Sequence, residues 1–156
     1  MVLISEIVNQ SKIASVAARR LDKSGEPEET WEAIQSLLVA AANVSKILKP
    51  VRKKYNKNRK LLRDSLGVSD DCLLLDRTFR DHFEHYDERI EEWIEGGNSG
   101  TYMDSRIDPI PSQFSQFQFC HRSYNPTTKV LSFRGKDLNL DALLNELTGI
   151  RVRCGF

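Results

Sequence analysis

Two of the three histidines, three arginines and six carboxylates crowd into "RTFRDHFEHYDERIEEW", Arg77 to Trp93. Within it Arg80 stands five positions before His85, and Asp81 follows the arginine directly. These residue types suit the cleavage of RNA without a metal. That reaction needs a group that takes the proton of the ribose 2′-hydroxyl or protonates the leaving oxygen, and a fixed cation beside the phosphorane. Imidazole chemistry fits His85 to the proton transfer. A guanidinium keeps its charge and grips phosphate oxygens with a fork of N–H donors, which fits Arg80 to the anion.

The element that carries these groups is predicted to be a helix. Phe79, Phe83, Tyr86, Ile90, Trp93 and Ile94 recur by threes and fours, so one stripe faces a core. With a rotation of about 100° per residue, Arg80 leaves that stripe on one side and His85 on the other. Neither is then expected in the core, and a solvated face laced with pairs such as Asp81 with His85 and His85 with Arg89 fits the same pattern. One helix does not join the tips of Arg80 and His85 unless the site runs along its outer face. Two copies packed about a two-fold axis would pool both pairs in one groove, which predicts a homodimer. A metal site on His82 and His85 lacks a second histidine-bearing helix, and His121 falls in a different kind of segment. No nucleophile elbow occurs, and Cys72 and Cys120 read as small packing residues. No metal or other cofactor is expected.

The surrounding chain supplies more helices. Ile4, Ile7, Val8, Ile13, Val16 and Ala17 give an amphipathic period over Leu3 to Leu21. Gly25 and Pro27 break it, and Trp31, Ile34, Leu37, Leu38, Ala41, Val44, Ile47 and Leu48 carry a second helix to Lys49. Pro50 interrupts the hydrogen bonding, so a third helix is expected from Val51 to Ser65, closed at Gly67 by a left-handed cap. The fourth is expected to start at Ser69 or Asp70 and run through the histidines to Glu95, stopping at Gly96-Gly97. After that "QFQFCHRSY", "NPTT" and "KVLSFRG" read as a β-hairpin, followed by a short helix near Leu140 to Leu147. The predicted fold is mainly α. Residues 1–97 form an antiparallel four-helix bundle, and residues 98–156 add a small C-terminal β-hairpin and short terminal helix packed on it in the same domain.

"RDHFEH", Arg80 to His85, resembles the motif of the HEPN family, in which an arginine, a polar residue and a histidine four to six positions on lie late in a small helical bundle. The resemblance covers the helical part, Met1 to about Gly97. Carried over residue by residue, Arg80 matches the motif arginine, Asp81 its polar neighbour and His85 its histidine; Arg77 with His82 is a second match of the same spacing. HEPN proteins are often dimers, and many are metal-independent ribonucleases of toxin–antitoxin, phage-defence and CRISPR systems. The resemblance implies an endoribonuclease that attacks RNA through its own 2′-hydroxyl, with an antitoxin or defence-system protein as a partner. It also allows a catalytically silent module that binds a partner protein or a nucleotide.

Composition sets the remaining bounds. The 156 residues and 40% hydrophobic content suit one core with a modest appendage, and the net charge of +1 from 23 basic and 22 acidic residues leaves no global field. Local patches matter more. "KILKPVRKKYNKNRKLLR", Lys46 to Arg63, holds nine basic residues and no acid. Lys53, Lys54, Lys57, Arg59 and Lys60 are its candidate RNA-phosphate contacts. The same segment also suits pairing with the acidic helix Glu84 to Glu95, the plainer reading for adjacent helices. Phe114, Phe117, Phe119, Phe133 and Tyr124 read as the inner face of a small sheet, or as a platform for stacked bases. Three cysteines without C-x-x-C spacing, and no signal-like segment, predict a reducing cytoplasm; the longest apolar run, "LLVAAANV", is too short for a membrane span.

Overall fold

The computed structural model describes residues 1–96, 102–107 and 120–155. They form two compact units, Met1–Arg77 with Ala142–Phe156, and Thr78–Asp141. The four-helix bundle with an appended hairpin is overturned. The described residues form six α-helices and a four-stranded mixed sheet, still a mainly α chain.

The first unit is built on two long helices, α1 (Val2–Leu21) and α2 (Pro27–Leu48), which pack side by side. Pro27 opens α2 with Glu28 and Glu29 in its first turn, where missing N–H partners and the helix dipole favour those residues. Ala14 and Ala17 of α1, with Ala33, Ala40 and Ala41 of α2, are buried, and their small side chains let two backbones come close. Ile7, Ile34, Leu37, Val44 and Leu48 fill the core. Each fully buried side chain of this size contributes about 1.5–3 kcal/mol over an exposed one. Ser11, buried in α1, gives its hydroxyl proton to the Ile7 carbonyl at 2.8 Å, so the burial leaves no orphaned donor.

After Pro50 the chain makes a 3-10 turn, Lys53–Tyr55, and only then α3 (Asn56–Ser65). The third helix is thus shorter than its basic residues suggest. Its end is the expected one: Gly67 sits at φ +57, its N–H reaches Asp64 O at 3.2 Å, and Val68 N–H reaches Arg63 O at 2.9 Å. That is the paired closure of a Schellman motif, in which only glycine takes the left-handed position without strain. "CLLLD" then forms a 3-10 turn, Leu73–Leu75, rather than the start of a long helix. Leu74 and Leu75 are both buried, which consecutive residues on one helix face cannot easily achieve. The last helix, α6 (Leu140–Arg153), is longer than predicted and buries Leu143, Leu147 and Ile150 at helical spacing.

The second unit opens with the split remains of the expected fourth helix, α4 (Thr78–Glu84) and α5 (Tyr86–Glu95). His85 lies between them at φ −113 and ψ 40, outside helical values. The sheet has the order β1-β2-β3-β4: β1 (Arg106–Ile107) runs parallel to β2 (Arg122–Asn125), while β3 (Val130–Phe133) and β4 (Lys136–Asn139) continue antiparallel. The predicted hairpin is the β2–β3 pair at the centre of this sheet. At its turn the Asn125 side-chain carbonyl accepts the N–H groups of Thr127 and Thr128, at 2.9 and 3.1 Å. Between β3 and β4, Arg134 and Gly135 both have positive φ, 49 and 78, the backbone of a two-residue hairpin turn. Gly97, Phe114, Phe117 and Phe119 lie outside the described residues.

Candidate functional site

His85 occupies the junction of α4 and α5, where the helix break turns its ring outward. The side chain is 51% exposed, and Nδ1 lies 3.2 Å from a carboxylate oxygen of Glu88. A carboxylate there can only accept, so Nδ1 carries the proton of this bond and the ring is oriented by it. Arg80 takes the opposite position. Against the expectation that it sits off the core, its side chain is only 3% exposed, with Nε 3.4 Å from Asp81 Oδ1. Asp81 itself is half exposed, and its carbonyl accepts the His85 N–H at 3.1 Å. The sequence-predicted trio therefore shares one turn of chain, with the acid–base candidate open and the cation candidate buried.

The junction is fastened by Tyr86, expected on the core stripe, and by Asp104 and Arg122, which sequence reasoning did not single out. Tyr86, the first residue of α5, donates its hydroxyl proton to Asp104 Oδ2 at 2.7 Å. Arg122 of β2 grips the same carboxylate with a fork, Nε to Oδ1 at 2.8 Å and Nη2 to Oδ2 at 2.6 Å, and lies 4.3 Å over the Tyr86 ring. Burial pushes the Tyr86 hydroxyl far above its usual range, and its bonds to Tyr102 and Asp104 add to that, so it stays a donor. His82 does not face His85's environment. It stacks on Phe133 of β3 at 4.8 Å with the rings nearly parallel, and His121 meets the same phenylalanine edge-on at 4.9 Å. His85 is therefore anchored on both sides, by the ring stack before it and the Tyr86–Asp104–Arg122 network after it.

These buried rings predict a pH dependence. Both nitrogens of His82 and Nε2 of His121 are buried without a hydrogen-bond partner. Burial holds each ring below its usual 6.5; Arg89, Lys136 and Arg134 add to this at His82, and Arg134 and Arg122 at His121, where Asp104 acts in the other direction. An uncharged ring that takes up its proton only on unfolding contributes stability that is complete above 6.5 and is lost as pH falls through the folded-state values. Asp104 adds a later step. Its burial alone would raise its pKa, but the bonds from Arg122 and Tyr86 outweigh this and hold it at about 2, so its stabilisation, present above 3.8, disappears toward pH 2. Urea midpoints should therefore fall on going from neutral pH to mild acid, and fall less in a His82→Phe, His121→Phe double variant. Equal losses in parent and variant would remove these rings from the account.

The second candidate site lies wholly in the first unit. The end of α2, the 3-10 turn at Lys53 and one face of α3 line an open cavity of about 490 Å³. Lys49, Lys53, Lys57, Lys60, Arg63 and Arg77 line it, and no carboxylate does. Three of the five predicted phosphate contacts thus converge, Lys53, Lys57 and Lys60. Lys54 instead lies 4.9 Å over the Tyr55 ring, and Arg59, also outside the lining, has its Nε buried without a partner. Lys49 and Arg63 have structural bonds as well, Lys49 Nζ to Leu75 O at 3.1 Å and Arg63 Nη1 to Leu48 O at 2.7 Å, which fix their stems. Lys60 pairs with Asp64 at 2.9 Å on the exposed side. The acidic α5 makes pairs of its own, Glu88 with His85 and Glu92 with Arg89 and Arg134.

Among the described residues no cluster of three His, Cys, Asp or Glu is placed to hold a metal ion, and no helix is long and apolar enough to cross a membrane. Compared with known protein families, with curated protein sequences and with solved structures, the chain matches none of them.

Proposed function

We propose that the protein is a metal-independent endoribonuclease of the HEPN type, with His85 as its proton-transfer residue. The observation that carries this reading is the placement of His85 on an anchored helix break, its ring open to solvent and a carboxylate on Nδ1. An acid–base group needs that combination of access, oriented ring and fixed position. The ribose 2′-oxygen attacks phosphorus, the new O2′–P bond forms as P–O5′ breaks, the 2′-proton passes to a base and O5′ receives one from an acid. In a homodimer the two copies of His85 would share those tasks. Arg80, in a low-dielectric setting beside Asp81, would act as a fixed positive charge next to the junction, where it is worth more than in water. The basic cavity offers phosphate contacts on the same chain. A toxin–antitoxin or phage-defence setting, with a cognate partner protein, belongs to this reading through the HEPN resemblance.

One observation favours a second reading. Arg80 is almost fully buried, whereas a cation that grips a substrate phosphate directly must reach it, and this suits a catalytically silent module that binds a partner protein or a nucleotide. Incubating the purified protein with RNA in EDTA separates the two. The ribonuclease yields fragments ending in 2′,3′-cyclic phosphate and 5′-hydroxyl, detectable by mass spectrometry. Intact RNA leaves the silent module, and 3′-hydroxyl ends lost on chelation point to metal-dependent hydrolysis instead.

A further inference from the structure

The nine basic residues between Lys46 and Arg63 do not form a continuous stripe. Lys49, Lys53, Lys57, Lys60 and Arg63 line one cleft, and Arg77 joins them from beyond α3, while Lys54 and Arg59 lie outside its lining. A strand backbone carries one charge per phosphate along an extended path, and a row of exposed cations suffices to track it. Cations arranged around a volume suit several phosphates gathered at one point. The volume of about 490 Å³ also falls in the range of about 300–1,000 Å³ that small-molecule sites occupy.

Other features of the cavity favour an anion. α3 begins within the lining at Asn56 and its first turn carries no acidic residue, so no carboxylate there offsets the positive field. Arg77, whose Nε is buried with no hydrogen-bond partner, adds a sixth cation to the lining. Lys49 and Arg63 are braced by main-chain carbonyls, which reduces the freedom they would lose on binding. Among the described residues Lys53 and Lys57 make no ion pair, so their charges are available to a ligand.

We infer that this cavity is a binding site for a compact polyphosphate, the triphosphate group of a nucleotide or of an RNA 5′ end. It includes neither Arg80 nor His85 and does not depend on their chemistry. The test is isothermal titration of the full protein with sodium tripolyphosphate, inorganic phosphate and ATP, and with one short RNA carrying either a 5′-triphosphate or a 5′-hydroxyl. Tripolyphosphate is expected to bind at one site per chain, more tightly than inorganic phosphate and less tightly as salt rises. Lys53→Ala and Lys57→Ala should each weaken it about tenfold, whereas Lys12→Ala, an exposed change on α1, should leave it unchanged. Binding of ATP with no preference between the two RNAs identifies a free nucleotide as the source; a preference for the triphosphorylated RNA over both ATP and the 5′-hydroxyl form identifies an RNA end. The inference is overturned if tripolyphosphate binds no better than inorganic phosphate, or if Lys53→Ala and Lys57→Ala bind it like the parent. Tripolyphosphate has no ribose to cleave, so this result and the RNA cleavage result can fail independently.

Discussion

Phe133→Ala is expected to destabilise the protein by about 3–5 kcal/mol, the range for removing a buried aromatic ring and leaving a hole behind it. Phe133 is fully buried, and its ring meets His82, Phe83, Tyr86 and His121, so it is the common contact between α4, α5 and the residue that precedes β2. A loss of that size is a large share of the 5–15 kcal/mol that holds a typical domain folded. The effect should reach the junction too, because His82 and Tyr86 flank His85 and both lean on this ring. Chemical denaturation measures the first consequence, and amide exchange at His85 and Tyr86 the second. A loss below about 1 kcal/mol would show that the aromatic cluster does not organise the second unit.

The helices α1 and α2 were legible because their burial follows a single 3.6-residue period and their ends carry local signals, Gly25 and Pro27 on one side and Pro50 on the other. The Gly67 cap was legible for a similar reason, since the left-handed backbone restricts the residue type. The break at His85 carried no such mark. No glycine or proline stands there, and backbone bonds continue across it, His85 N–H to Asp81 O and Arg89 N–H to His85 O. What flanks the break is tertiary: His82 stacks on β3 while Tyr86 is tied to Asp104 and Arg122, partners up to 51 positions away in the chain. Local periodicity cannot report contacts of that range.

The same distinction explains the sites. The basic run named Lys53, Lys57 and Lys60, but Arg77 joins the cavity only because the chain turns at Leu73–Leu75, and that turn follows from burying consecutive leucines. The parallel pairing of β1 with β2 rests on two residues, Arg106 and Ile107, too few to leave a pattern. The burial of Arg80 was missed because the stripe was drawn for one continuous helix. Once α4 ends at Glu84, a residue about 100° off the stripe no longer has to face solvent.

That burial changes what mutation of the motif should show. His85→Ala removes a half-exposed ring whose pair with Glu88 is worth only about 0.5 kcal/mol or less, so the melting temperature should hardly move. If His85 transfers the proton, RNA cleavage should fall about 100-fold or more. Arg80→Ala should lower both cleavage and stability, the latter by about 1–3 kcal/mol, because a buried side chain is lost and the groups it bonds are left unsatisfied. Stability alone could then explain its lost activity, and Arg80→Lys separates the causes. A lysine keeps the charge but not the fork: a variant that recovers cleavage while remaining less stable places the charge itself in the chemistry, and one that recovers stability without cleavage places the guanidinium geometry there. Should His85→Ala cleave RNA as fast as its parent, the exposed ring and its carboxylate are an ordinary surface pair, and the partner-binding module is the better account of the fold.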